Sequence, residues 1–139
     1  MSKNTQVLID SLPEGKLSES NYKLVESPMP EASEGEVLVK TIAIAIAAGT
    51  RAGLQGSASY AGAPQTGIVM NSLGVGEVVA GDNSSFPVGM KVQARTGWQS
   101  YSVHKTSELT EIPEGIDPLH YLGPLGINGL TAYFGLLEV

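Results

Sequence analysis

The chain has 139 residues, with 8 Lys plus Arg against 14 Asp plus Glu, a formal net charge of −6 and a pI of about 4.8. That length predicts one domain able to bury a real core, and the acidic balance argues against a non-specific nucleic-acid binder, which needs Lys and Arg to displace counterions from phosphates. No window reaches the ~18 apolar residues of a membrane span, no signal peptide opens the chain, and zero Cys removes disulfides, a thiol nucleophile and Cys-ligated zinc or iron–sulfur sites, in keeping with a cytoplasmic protein.

Residues 5–9 read as a first strand, closed by Pro13-Glu14-Gly15. Residues 21–26 read as a second, stopped by Ser27-Pro28-Met29-Pro30, where proline fixes φ and removes a ladder donor. The clearest strand is 36–46, rich in β-branched Val37, Val39, Ile42, Ile44 and Ile46. It is longer than a usual strand, which predicts a bend or bulge inside it. Residues 50–65 read as a loop, with Gly53, Gly56, Gly62 and Pro64 among Ala and Ser. A loop of that length in a compact domain is more often functional than idle.

Strand character returns over 67–80, which contains Gly74-Val75-Gly76, and Gly81-Asp82-Asn83-Ser84-Ser85 is a turn cluster. Residues 91–95, 99–104 and 108–112 are three further short strands, the last ended by Pro113-Glu114-Gly115. The period then changes. Leu130, Tyr133, Phe134 and Leu137 fall at i, i+3, i+4 and i+7, one face of an α-helix. Asn128 or Thr131 would cap its start, although Gly129 between them weakens the pattern. Many short strands between frequent turns predict a mainly β fold, barrel or sandwich, with one C-terminal helix.

Several chemistries are missing. His104 and His120 are the two histidines, and without Cys they assemble no His/Cys metal site. A lone histidine on a short strand is more often a surface or satisfied core residue. The chain has neither a G-x-S-x-G elbow nor a G-x-x-x-x-G-K-[ST] phosphate loop. A dinucleotide fingerprint needs G-x-G-x-x-G opening a helix. Residue 79 is Val and strand-like residues continue, so Gly74 and Gly76 read better as a place where backbones approach closely. Glu31, Glu34 and Glu36 sit beside prolines and glycine as a solvated turn, and no glycosidase-type carboxylate pair is required.

Gly97-Trp98-Gln99-Ser100-Tyr101-Ser102-Val103 and Leu130-Thr131-Ala132-Tyr133-Phe134-Gly135-Leu136-Leu137-Glu138 resemble segments of the zinc-independent medium-chain dehydrogenase/reductases. The nearest subgroup is that of the prostaglandin reductases and alkenal double-bond reductases. Ser59-Tyr60, Gly67, Met70 and Gly74-Val75-Gly76 match that subgroup's spacing, and Phe86-Pro87-Val88-Gly89 matches its F-x-x-G turn. The resemblance covers residues 5–139 and is most specific at the L-T-A-Y-F-G-L-L-E segment.

The resemblance implies that residues 1–139 form a GroES-like, partly open β-barrel, the N-terminal catalytic domain, with a C-terminal inter-domain helix. The family's Rossmann domain, which binds NADPH, follows that helix, so the end at Val139 is expected to cut the protein between its domains. The 139 residues alone are then expected not to turn over NADPH. The implied chemistry is metal-free, NADPH-dependent reduction of the C=C bond of an α,β-unsaturated carbonyl or of a quinone. A hydrogen-bond donor aimed at the carbonyl oxygen lowers the barrier as enolate charge develops there.

By position, Tyr60 matches the family tyrosine that faces the substrate carbonyl, with a phenol able to donate one hydrogen bond; the alternative is an aromatic that covers the loop. Thr131 matches a threonine near the nicotinamide, where its hydroxyl or the helix start holds the carboxamide; the alternative is an ordinary helix-start residue. Ile127 and Asn128 stand where the family usually has Met-Pro and are expected to line the same pocket. Tyr133 is expected in the core and Trp98 in the barrel, and Arg51 as an anchoring surface charge rather than a pocket residue. Two departures mark the chain. Ala47-Ala48-Gly49 replaces the usual D-P-Y, which predicts a wider, less aromatic pocket, and Met90 replaces the usual Asp of a G-D-x-V turn.

Two other classes remain open at this level: a non-catalytic GroES-like binding module, and an oligomeric structural or co-chaperone subunit. The expected partners are a small enone or quinone, with neither nucleic acid nor membrane, and a homodimer is possible. Substrate identity and the choice of NADPH over NADH lie outside these residues.

Overall fold

The computed structural model describes residues 3–57, 63–81 and 84–138. The first strands form a hairpin-like pair: β1 (Lys3–Ile9) runs antiparallel to β2 (Tyr22–Pro28), from Lys3 opposite Pro28 to Ile9 opposite Tyr22. β2 reaches Pro28 because it is an edge, where the missing proline N–H costs no ladder bond. A 3₁₀ turn at Glu19–Asn21 leads into it. Its entry is fixed when the Asn21 carboxamide oxygen accepts from the Ser18 N–H at 2.8 Å.

The main sheet has five antiparallel strands in the order β6-β3-β4-β5-β7. β3 is Glu36–Ile44, β4 Gly74–Ala80, β5 Lys91–Ala94, β6 Tyr101–Lys105 and β7 Thr110–Glu111. The bend expected in the long strand is present: β3 shifts register against β4 between Leu38 and Val39 and again between Thr41 and Ala43. The strand expected over 67–80 is shorter than the sequence suggests. Regular pairing begins only at Gly74, and upstream of it Val69 makes a single bridge to Leu8.

Residues 98–100 join the two sheets. The Val7 N–H donates to the Trp98 carbonyl, the Ser100 N–H to the Thr5 carbonyl and the Thr41 N–H to the Ser100 carbonyl, each at 2.9 Å. The Asn4 side chain completes the seam. It is buried, and its carboxamide pairs with the Tyr101 backbone, donating to the carbonyl and accepting from the N–H, both at 2.9 Å. A short polar side chain thus stands in for a strand partner and leaves neither peptide group unmet. β6 and β7 end the five-stranded sheet and β2 is an edge of the other, so among the described residues the barrel is partly open, as the GroES-like expectation had it.

Two apolar clusters hold this frame. Val37, Val39, Val78 and Val92 are fully buried between β3, β4 and β5, with Phe86, Met90 and Leu109 packed against them. Met90 therefore has a packing role. Gly76 is required in that layer, since a Cβ there would lie 2.6 Å from the Lys40 carbonyl oxygen. This bears out the close-approach reading of Gly74-Val75-Gly76. The second cluster is Ile9, Leu54 and Met70, with Tyr22 and Trp98 beside it. Trp98 stacks on Tyr22 at a centroid distance of 5.4 Å, in the barrel as expected.

Helix α1 (Ala48–Leu54) corrects the loop expected over 50–65. No side chain caps it, and Gly49 and Gly53 weaken it locally; burial of Leu54 against Ile9 and Met70 supplies what propensity does not. Helix α2 (Ile127–Leu137) begins earlier than either expected cap, with Gly126 at its N-cap. Gly129 is accommodated because a Cβ would lie 2.9 Å from the Pro124 Cα. Tyr133 is not in the core: it is 54% exposed and Phe134 55%, with the two rings edge to face. No described helix is long and apolar enough to cross a membrane.

Candidate functional site

A cleft of about 1060 Å³ opens beside the second cluster. One wall is the chain leaving β3, from Ala45 to Gly49, which continues into α1. The Ala45 N–H donates to the Leu73 carbonyl at 2.8 Å and ties that wall to the opposite one, where Ile68, Met70, Asn71 and Ser72 lie. Small residues at Ala45, Ala47, Gly49 and Gly53 leave the space open. Among the described lining residues Tyr121 is the one aromatic.

Tyr121 and the start of α2 close the far side. Asp117 caps a 3₁₀ turn, Pro118–Leu122, by accepting from the Leu119 N–H at 3.0 Å, and Pro118 takes the first position, where its missing N–H is harmless. The Gln93 carboxamide donates to the Tyr121 carbonyl at 2.7 Å and fixes the turn to β5. The chain then reverses through residues 123–126 and delivers Ile127 and Asn128 to the cleft at the first turn of α2.

Ile127 and Asn128 thus lie together at the cleft, and no hydrogen bond to another described residue occupies the Asn128 carboxamide. Thr131 lies one turn further along the exposed helix and is not part of the lining. Its hydroxyl donates to the Ile127 carbonyl at 2.7 Å, so that hydrogen is spent within the helix and the oxygen remains as an acceptor. Tyr60 falls outside the described residues. Gly53 and Ala63, on either side of that segment, both line the cleft. Arg51 is an exposed anchor, with its guanidinium 3.4 Å from the Gly15 carbonyl; Gln55 donates to the same oxygen at 2.9 Å.

Three lining residues carry chemistry that the sequence did not single out. Ser72 is 6% exposed, and its hydroxyl has no hydrogen-bond partner among the described residues. Tyr121 brings a phenol. Arg95 brings the one formal charge among the described lining residues, and no described carboxylate pairs with it. No spacing rule flags a serine, a tyrosine and an arginine on three separate segments.

The histidines lie elsewhere. His104 is 7% exposed on β6, with its Nε2 2.8 Å from the Ser102 hydroxyl. Burial lowers its pKa below the ordinary 6.5, and Glu108 partly opposes that. It is a satisfied core residue. His120 is exposed on the 3₁₀ turn.

Residues 5–112 match a family model described as the N-terminal domain of oxidoreductase. Prostaglandin reductase 1 of Mus musculus is 35% identical over 130 residues, covering 91% of this chain and 37% of that protein. The NADPH-dependent curcumin reductase of Escherichia coli is 29% identical over 138 residues, covering 99% of this chain and 40% of that protein. CurA from Vibrio vulnificus superposes with a TM-score of 0.90 at 31% identity, covering 98% of this chain and 40% of its own. It has also been crystallised with NADPH. The chain spans about 40% of the length of the relatives it matches.

Proposed function

The chain belongs to the family of oxidoreductase N-terminal domains, alongside the prostaglandin and curcumin reductases, and on that premise we propose that it is the substrate-binding domain of an NADPH-dependent reductase that saturates the C=C bond of an α,β-unsaturated carbonyl. The observation that carries this reading is the convergence of Ile127 and Asn128 with the wall from Ala45 to Gly49 on one largely apolar cleft. A cavity of about 1060 Å³ has room for a nicotinamide ring and a small enone together.

The donor set fits the nicotinamide end of such a cofactor. Asn128 offers a carboxamide that can pair with another carboxamide, donating once and accepting once, and Ile127 offers an apolar face for a ring. When bound, NADPH supplies the hydride that reaches the substrate β-carbon. The chain's own part is to orient the enone and to meet the charge that grows on its carbonyl oxygen. Ile44, Ile68 and Leu73 give the cleft apolar walls against which the enone can lie, and a hydrogen bond aimed at that oxygen meets the growing charge. We assign that bond to the phenol of Tyr60. Support comes from the match of Ser59-Tyr60 to the family and from the cleft-lining residues on both sides of the segment.

The test uses the full-length protein that carries this chain, with NADPH and a simple enone, followed by loss of cofactor absorbance. Tyr60→Phe is expected to lower kcat by ~10²-fold at unchanged melting temperature, the usual cost of a lost oxyanion donor. A kcat within about twofold of wild type would make Tyr60 a packing residue.

A further inference from the structure

Arg95 is exposed, and no hydrogen bond or ion pair to another described residue engages its guanidinium. It follows directly on β5, where Ala94 sits opposite Gly74. Its neighbours Ala94 and Thr96 are both buried, so the backbone that carries it is held on either side. Arg95 itself lines the cleft. The chain has 14 Asp and Glu, yet none of the described lining residues is acidic. The formal charge of the chain is −6, whereas the described lining of the cleft carries one positive side chain and no negative one. Ile44, Ile68 and Leu73 lie on the same cleft and offer apolar surface to the rest of such a ligand. The buried, unpartnered Ser72 hydroxyl adds a further donor in the wall.

Resting on the reading of this cleft as a reductase's substrate site, we propose that Arg95 selects substrates bearing a carboxylate in addition to the reacting enone. A guanidinium presents a planar fork of donors that matches a carboxylate in two parallel hydrogen bonds. The carboxylate anchors one end of the substrate at Arg95, and the enone is left to lie towards Ile127 and Asn128. Arg95 is therefore a specificity residue, not a participant in hydride transfer.

The test has two arms on the full-length protein. Equilibrium binding is measured calorimetrically, without turnover, for 4-oxopentanoate and for the neutral 2-pentanone. Turnover is measured with NADPH for 4-oxopent-2-enoate and for the neutral pent-3-en-2-one. The expected result is a preference of about tenfold or more for the carboxylate in both arms. Arg95→Gln brings the ratio of carboxylate to neutral compound to within about twofold of unity, and Arg95→Lys restores part of the preference. Equal affinities for 4-oxopentanoate and 2-pentanone overturn the proposal. So does an Arg95→Gln protein that keeps the preference, or one whose only change is a raised KM for NADPH, which would assign the arginine to the cofactor's phosphates. Carboxylate-selective binding without reduction of either enone would instead uphold the arginine site and sink the reductase reading.

Discussion

The five-stranded sheet and helix α2 are stabilised in opposite ways. In the sheet, four valines from three strands lose all contact with solvent, and two glycines let the strands close to backbone distance. In α2 no described residue is buried, and Leu130, Tyr133, Phe134, Leu136 and Leu137 all stand more than half exposed. An 11-residue helix of that kind is marginal in water by propensity alone. The lesson is that apolar periodicity reports a face that is built to be covered, and not where the cover comes from. Val37, Val39, Val78 and Val92 are covered by their own chain; the large apolar residues of α2 stand more than half exposed among the described residues.

The comparison can be broken hardest at Gly76. Gly76→Val places branched carbons against the Lys40 carbonyl and the Val39 side chain, and β3 and β4 must separate. A loss of about 3 kcal/mol or more in urea denaturation is expected, at the upper end of overpacking costs. A loss below ~1 kcal/mol would mean the strands have slack that close packing forbids.

A smaller effect sharpens the same side. His104 is buried in the sheet as the neutral base, so its folded pKa is lowered by burial, against a weaker opposite pull from Glu108. The unfolded chain therefore binds the proton more readily, and stability falls as pH drops from above the ordinary value of 6.5 towards the lowered one. Melting temperatures of wild type and His104→Gln, compared at about pH 7.5 and about pH 5.5, should show the larger acid loss in wild type. Parallel losses would assign the acid sensitivity to other groups.

The smallest effect tests the other side. Leu136 is 79% exposed. Leu136→Gln should change the stability of this chain by no more than ~0.5 kcal/mol, as for other surface substitutions. A loss above about 1 kcal/mol in the same denaturation assay would show that α2 is packed in solution and that the contrast with the sheet is false.

Much of the frame was legible because its signals are local. The β-branched run at Val37 and Val39, the turn at Pro13-Glu14-Gly15 and the i, i+3, i+4, i+7 pattern at Leu130 each act within a few residues. Helix α1 was not legible, because it owes its existence to Leu54 meeting Ile9 and Met70, residues distant in sequence. The early end of the strand before Gly74 was hidden for a similar reason, since residues 67–70 are claimed by β1 rather than by the main sheet. Ile127 and Asn128, which the family pattern put on a pocket, line the cleft. Ser72, Arg95 and Tyr121 belong to no pattern and were not.

The sequence by itself determined the mainly β class, the C-terminal helix, the closeness required at Gly74 and Gly76, and membership of an oxidoreductase domain family. Each follows from short-range sterics, from periodicity or from a motif carried in a continuous stretch of chain. Only the tertiary structure decided that no described residue of α2 is buried, that Trp98 and Ser100 weld the two sheets, and that Arg95 is the one charge on the described walls of the cleft. Those facts depend on which distant segments come to lie side by side, and neither local propensity nor spacing records that.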